Sequence, residues 1–325
     1  MSLLILGEEE DKSSDIVCAW LCFHHCDFTR INQEIFINPM IDIRMSIDEC
    51  SIKIFVDNRC LDFSEIDIIW ARRGYVRLFP MIHASELSSE VMNNLKKHMN
   101  NESETLKGYI WKNLANKKMI NHPDNYNFNK LIALHYAVKV GLEIPDTIVT
   151  CKGSAIKYFL NQKGDCITKS IQDITSFNGG NIYMSIGKIK QVNIVDVTEP
   201  YYWYSLIQKE VSKRYELRIF YWLGKMYTMA IFSQLDPDST LDFREVDVNG
   251  AHPNRMAPYK LPRIVRLKID KLMKKLKLES GSIDMIVTPD NEYYFLEVNP
   301  VGQFNFVSEL CNYYIEKNIA ISLAQ

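Results

Sequence analysis

A chain of 325 residues, 47% hydrophobic and 24% charged, has enough apolar material for a sizeable core arranged in two or three lobes. Its formal net charge of -2 gives no global reason to expect a nucleic-acid or membrane-surface partner. No apolar run reaches the length of a membrane span, and Met1-Ser2-Leu3-Leu4-Ile5-Leu6-Gly7 runs straight into Glu8-Glu9-Glu10-Asp11, as a first strand does and a signal peptide does not.

The first third alternates strand and helix signals. Strands are expected at residues 3–6, 34–37, 52–56 and 66–70 and a helix at 15–25, an α/β pattern for a small open sheet. Residues 85–107 are polar with apolar positions at helical spacing, which predicts a surface helix. The eight cysteines (Cys18, Cys22, Cys26, Cys50, Cys60, Cys151, Cys166, Cys311) include no Cys-x-x-Cys pair and lie in apolar runs, which predicts reduced, buried thiols in a cytoplasmic protein. Cys18, Cys22 and Cys26 recur every fourth residue beside His24 and His25. That spacing suits a metal site or a helix face of small apolar side chains, and the helix face is the commoner use.

His122-Pro123-Asp124-Asn125 marks a boundary. A helix at 127–140 follows, closed by Gly141. Then come a strand at 147–150, a helix at 153–161, a strand at 166–170 that carries Lys169, and the loop Asn178-Gly179-Gly180. Strands are expected at 189–197, 206–211, 215–222 and 225–233, and a helix at 262–278. Residues 260–277 carry Arg263, Arg266, Lys268, Lys271, Lys274, Lys275 and Lys277, with Ile264, Leu267, Leu272 and Leu276 as the expected apolar stripe. The ordinary reading is a solvated basic face; an acidic peptide is the partner that such a helix would otherwise take.

Most of the chemistry converges on the hairpin at 283–300. Two apolar strands flank the turn Pro289-Asp290-Asn291, with Asp284 on the first and Glu297 and Asn299 on the second. Side chains alternate along a strand, so Glu297 and Asn299 share a face, and counting from the turn sets Asp284 roughly opposite Glu297. Two carboxylates among Ile, Val and Phe are costly unless a cation neutralises them, and Mg²⁺ takes such oxygens together with phosphates.

Lys130, one turn into a helix, and Lys169, at a strand end before Gly179-Gly180, are candidates for neutralising phosphate oxygens. Gln208-Lys209-Glu210-Val211 forms an extended hinge able to meet an adenine edge. Glu216 and Arg218 share a strand face, which suits ribose hydroxyls and a phosphate, or equally a cross-strand ion pair. No P-loop and no G-x-G-x-x-G fingerprint is present.

The order of these pieces, over residues 120–310, resembles the ATP-grasp superfamily. Lys213-Arg214-Tyr215-Glu216-Leu217-Arg218 and Phe295-Leu296-Glu297-Val298-Asn299-Pro300-Val301-Gly302-Gln303-Phe304 are similar to runs in the graspetide (microviridin-type) peptide ligases. Ile68-Ile69-Trp70-Ala71-Arg72-Arg73-Gly74 resembles a segment of their amino-terminal domain. Ile231-Phe232-Ser233-Gln234 and Asp242-Phe243-Arg244 resemble the grasp-with-spasm maturases.

The resemblance implies an α/β ATP-grasp fold with an amino-terminal domain (1–120), a central small domain (121–207) and a carboxy-terminal antiparallel-sheet domain (208–325). It implies ATP and Mg²⁺ as cofactors. Lys130, Lys169, Gly179 and Gly180 would meet phosphates, Gln208, Lys209, Glu210 and Val211 adenine, and Glu216 ribose. Asp284, Glu297 and Asn299 would hold the metal, while Arg218, Arg244, Arg72 and Arg73 would face the transferring phosphate and the acceptor. The implied reaction activates Asp or Glu side chains of a ribosomal precursor peptide, with a leader and an acidic core, as acyl phosphates and forms ester or amide cross-links. Neither nucleic acid nor membrane is an expected partner, and a homodimer is compatible. The alternatives are a ligase that adds a free amino acid, as glutamate ligases and glutathione synthetases do, and a non-catalytic nucleotide-binding regulator.

Overall fold

The computed structural model describes residues 2–32, 40–48, 50–56, 59–73, 88–123, 125, 128–171, 175–178, 183–186, 189–233 and 254–325. Gly179, Gly180, Arg244 and the strand expected at 34–37 lie outside the described residues. The chain divides into two compact units, Met1–Tyr126 with Tyr314–Gln325, and Asn127–Tyr313.

In the first unit the elements run β1 (Leu3–Gly7), α1 (Lys12–Phe23), β2 (Phe28–Asn32), β3 (Met40–Met45), β4 (Cys50–Val56), β5 (Arg59–Asp62), β6 (Ile68–Ala71), α2 (Ser89–Leu114) and β7 (Lys118–Ile120). A parallel sheet has the order β2-β1-β6-β7. Strand β1 is buried along its whole length, which explains its unbroken apolar run; parallel strands covered on both faces need no polar alternation. Strands β3, β4 and β5 form an antiparallel sheet, and Ile52 and Ile54 join Leu4, Leu6, Ile110 and Leu114 in one core. Ser88 caps α2 by accepting from the Val91 N–H.

The second unit contains α3 (Lys130–Lys139), β8 (Thr147–Lys152), α4 (Gly153–Lys163), β9 (Cys166–Lys169), β10 (Thr175–Asn178), β11 (Tyr183–Ile186), β12 (Lys190–Gln191) and β13 (Tyr201–Lys209). It continues through β14 (Tyr215–Trp222), β15 (Lys225–Phe232), β16 (Arg255–Pro258), α5 (Arg263–Leu276), β17 (Ser280–Val287), β18 (Tyr293–Asn299) and α6 (Asn305–Cys311). One sheet has the order β12-β9-β13-β8 and another the order β16-β15-β14-β17-β18, all pairs antiparallel. Ile207 and Cys166 of the first sheet bury against Ile156 and Leu160 of α4. Leu217, Ile219, Ile283, Met285 and Phe295 of the second bury against Ala133, Leu134 and Ala137 of α3 and Val265, Ile269, Leu272 and Met273 of α5.

After this unit the chain returns to the first as α7 (Ile315–Leu323), which packs on α1 and buries Ile315, Ile319, Ala320 and Leu323.

Several local expectations need correction. Residues 189–197 are not one strand: only Lys190–Gln191 pairs, and Ile194–Asp196 is a 3-10 turn started at Asn193. Asn178 ends a strand paired with β11 instead of lying in a loop. The α5 stripe is also different, because Ile264 and Leu267 are exposed while Val265, Ile269 and Met273 take the core face with Leu272 and Leu276. Cys166 and Cys311 are buried, but Cys22 and Cys60 are exposed. Cys18 and Cys22 lie on α1 and Cys26 follows it, and among the described residues no group of three or more His, Cys, Asp or Glu is arranged to hold a metal. Among the same residues no helix is long and apolar enough to cross a membrane.

Candidate active site

The β14-β17-β18 part of the five-stranded sheet is amphipathic across its two faces. Positions that face each other on neighbouring strands share a side. Arg218 faces Asp284, which faces Glu297. Two residues further along the strands, Phe220 faces Ser282, which faces Asn299. Glu216 precedes Arg218 by two on the same side. The intervening residues form the core with α3 and α5, so Glu216, Arg218 and Asp284 lie on the other face of the sheet. A β-bulge between Asp284 and Met285 lets Leu296 drop out of the pairing and brings Glu297 level with Asp284.

Two ion pairs organise the acids. Arg218 Nη1 donates to Asp284 Oδ1 at 2.5 Å and to Oδ2 at 2.7 Å, with both side chains about a tenth exposed. Lys130 Nζ lies 3.6 Å from Glu297 Oε2. Lys130 is held there by two local devices. Asn129 caps α3 by accepting from the Leu131 and Ile132 N–H groups, which fixes the first turn. Beyond the helix, Gly141 has φ +82° and turns the chain so that Glu143 accepts from the Phe295 N–H at 2.8 Å, tying this segment to β18.

Glu216 accepts from Lys213 Nζ at 2.7 Å and from Ser233 Oγ at 3.0 Å. Burial pushes its carboxyl above the usual carboxylate range, and the Lys213 ammonium and the Ser233 hydroxyl oppose that shift. The Arg218 guanidinium also lies 5.9 Å from the Phe306 ring centroid, so α6 covers part of its face.

Asn299 Oδ1 accepts from the Val301 N–H at 3.0 Å, and the Gly302 N–H donates to Asn299 O at 3.1 Å. A methyl group on Gly302 would stand 2.4 Å from Ser282 Cβ. Only glycine lets this turn lie so close to β17, where Ser282 Oγ donates to Gln303 O at 3.1 Å.

On the four-stranded sheet, Lys169 faces Leu206, two positions from Gln208, on the side away from α4. Gln208 is buried and its Nε2 donates to Thr147 Oγ1 at 2.9 Å. The Lys209 and Glu210 N–H groups are taken by the carbonyls of Asp146 and Asp165. Among the described residues none accepts from the Val211 N–H. In the first unit Arg72 Nε pairs with Asp11 Oδ2 at 3.1 Å, both buried, and Asp11 also accepts from Ser14 Oγ. Arg73 pairs with Glu8, both about a quarter exposed.

Facing register therefore joins Arg218 to Asp284 and Asp284 to Glu297, and the tertiary fold adds Lys130. Glu8 and Asp11, which hold the two arginines after β6, were not singled out from sequence. Their signal is the acidic run that follows directly on a buried parallel strand.

Two carboxylates and an amide on one sheet face, with an arginine and a lysine beside them, form a hard oxygen donor set that a divalent cation fits. The cations beside it suit polyphosphate oxygens. Comparison with solved structures decides the architecture. An ATP-grasp ligase from Chryseobacterium gregarium, associated with ribosomal peptide modification and solved with ADP and a leader and core peptide, superposes with a TM-score of 0.82 at 24% identity, over 99% of this chain and 95% of that one. The chain has the ATP-grasp fold. The macrocyclase MdnC from Microcystis aeruginosa MRC, bound with precursor peptide MdnA, gives a TM-score of 0.77 at 23% identity over 99% of each chain. The ATP-grasp ligase PsnB, complexed with a phosphomimetic minimal precursor, Mg and ADP, gives 0.71 at 16% identity over 99% of this chain and 98% of that one. No protein-family model matches the sequence. No curated protein sequence matches it either. The ATP-grasp likeness spans both compact units, so the first unit belongs to the same architecture as the sheet that carries Asp284 and Glu297.

Proposed function

We propose that this chain is an ATP- and Mg²⁺-dependent peptide ligase of the graspetide type. It transfers the γ-phosphoryl group of ATP to an Asp or Glu side chain of a ribosomal precursor peptide. A hydroxyl or amine of the same peptide then attacks the acyl phosphate carbon. The carbon–oxygen bond to phosphate breaks, inorganic phosphate leaves, the nucleophile gives up its proton, and an ester or amide remains. The observation that carries this reading is the charged row Arg218, Asp284 and Glu297 on one sheet face, with Lys130 of α3 beside Glu297. Support for a peptide acceptor comes from the leader, core and precursor peptides in the related solved structures.

In this reading Asp284, Glu297 and the Asn299 amide would hold Mg²⁺, which would supply positive charge to offset that of the phosphates. Lys130 and Lys169 bind phosphates. The Val211 N–H, with Gln208, Lys209 and Glu210 around it, meets adenine, and Glu216 with Lys213 meets ribose. Arg218 leaves Asp284 for the transferring phosphoryl group. Arg73 and Arg244 offset the negative charge of the acceptor carboxylate, while Arg72, buried against Asp11, holds the segment after β6. ATP sits between segments 121–207 and 208–325, and the protein works in the cytoplasm.

The test is mass spectrometry of a precursor peptide encoded beside this gene after incubation with ATP and Mg²⁺. Loss of one water per bond, with precursor-stimulated ADP release, is the expected result. Absence of both sinks the reading, and a mass gain equal to an added amino acid replaces it with a free-amino-acid ligase.

A further inference from the structure

Helix α5 buries Val265, Ile269, Leu272, Met273 and Leu276 against the sheet and leaves two branched apolar residues on its outer side, Ile264 at 62% and Leu267 at 47% exposure. Arg263 and Lys271 lie one turn before and after Leu267, and Lys274 continues the row; all are exposed. Beside this face an open cleft of about 570 Å³ separates α5 from the β14–β15 turn. Lys225, Met226 and Tyr227 line one wall and Arg266, Leu267 and Asp270 the other. At the head of the turn Leu223 is 42% exposed, adding apolar surface.

The charge of this region is unbalanced. Asp270 is the one acid in the cleft lining, and it is already engaged: it accepts from the Tyr221 hydroxyl at 2.9 Å and pairs with Lys274 Nζ at 2.7 Å. Lys225, Arg263, Arg266 and Lys271 have no carboxylate partner among the described residues. Nucleic acid would use the cations and leave Ile264 and Leu267 wet. A two-fold contact with a second copy would set the cationic row against itself. A helix with an apolar stripe and flanking carboxylates satisfies both parts of the surface.

We propose that the outer face of α5 and the β14–β15 turn form a docking surface for an acidic, amphipathic peptide segment, separate from the Asp284–Glu297 site. Leu267 and Ile264 seat the apolar side chains of that segment, and Arg263, Arg266, Lys271 and Lys225 meet its carboxylates. The sheet lies between this surface and the charged row, because α5 packs on the opposite face from Arg218 and Asp284. Equating the segment with part of the precursor rests on the ligase reading; the docking itself does not.

The experiment is fluorescence anisotropy of a labelled synthetic helical peptide, with Leu at one stripe and Glu around it, titrated with the full-length, nucleotide-free protein. Binding should saturate and weaken as salt rises. Leu267→Glu and Arg266→Glu should each weaken it by roughly tenfold or more while leaving Tm and ATP affinity unchanged. A peptide of the same composition with the stripe scrambled should bind roughly tenfold more weakly. Unchanged affinity in both variants, or equal binding of the scrambled peptide, overturns the proposal. So does a wild-type dimer in sedimentation that Leu267→Glu converts to monomer, because a second copy then covers the face. No ATP is present, so loss of the ligase reading leaves this result standing, and failure here leaves the ligase reading untouched.

Discussion

Arg218 and Asp284 stand opposite each other on adjacent antiparallel strands, and one guanidinium nitrogen of Arg218 spans both carboxylate oxygens at 2.5 and 2.7 Å. Each group is the other's counter-charge in a site with little water. Replacing Arg218 by Ala leaves Asp284 beside Glu297 without its cation. A loss of about 3 kcal/mol of stability follows from breaking such a pair. Mg²⁺ should recover part of this, so the rise in Tm on adding Mg²⁺ will be larger in the variant than in the wild type. Equal rises in both would separate the pair from the metal site.

Glu297→Gln removes a carboxylate proposed to bind Mg²⁺ and the partner of Lys130, at a position where both side chains are about a fifth exposed. The fold should survive with Tm close to wild type, while ADP formation falls by roughly a hundredfold or more. Asn299→Ala should lose turnover similarly, with an added loosening of the turn to Val301. Wild-type ADP production in both variants would make the hairpin structural.

Gly302→Ala drives a methyl group into Ser282 Cβ. An overpacking cost of about 1–3 kcal/mol is expected, along with loss of ATP-dependent turnover as Asn299 is displaced. Ser282→Gly on top of it should restore Tm and part of the activity. Failure of the double variant to recover either would mean that the close approach does not set the turn.

Burial holds the Glu216 carboxyl above its ordinary range, so the folded protein keeps this proton more tightly than the unfolded chain does. Stability linked to this group is therefore fully retained below the unfolded value and falls as pH rises through the folded one. Comparing Tm of the wild type with Glu216→Gln from neutral to mildly acid pH should show the wild type gaining on the variant as pH falls. A constant difference would show that Lys213 and Ser233 offset the burial completely.

Arg72 and Arg73 are adjacent but not equivalent. Arg72 and Asp11 are 3% and 0% exposed, so Arg72→Ala should cost about 3–5 kcal/mol and lower Tm sharply. The Arg73–Glu8 pair is partly exposed, so Arg73→Ala should change stability by less than about 1 kcal/mol. If Arg73 meets the acceptor as proposed, KM for the precursor should rise in this variant while ATP affinity holds. Loss of ATP affinity in Arg73→Ala would put that arginine at the nucleotide.

The Asp284, Glu297 and Asn299 set was legible because polar oxygens stand out among Ile, Val and Phe, and counting back to the turn put the first two only roughly opposite each other. The bulge that makes the pairing work was not, since it needs only a skipped Leu296. Lys130 carried no signal of its partner, because its meeting with Glu297 depends on α3 crossing β18. Helix α5 shows the limit of periodicity. Its apolar residues fall on two faces, and only packing against the sheet chooses Val265, Ile269 and Met273 over Ile264 and Leu267. The helices at Asn305–Cys311 and Ile315–Leu323 are too short for a strong stripe.

Helix α7 completes the compact unit that β1 begins. During synthesis, β1 and α1 leave the ribosome before α7, so the packing of α7 on α1 waits until Ile315, Ile319 and Leu323 have been made. Residues 127–313 are all translated in that interval, and their own contacts are complete without the tail. The unit that holds β1 is therefore closed by residues made only after the whole of 127–313.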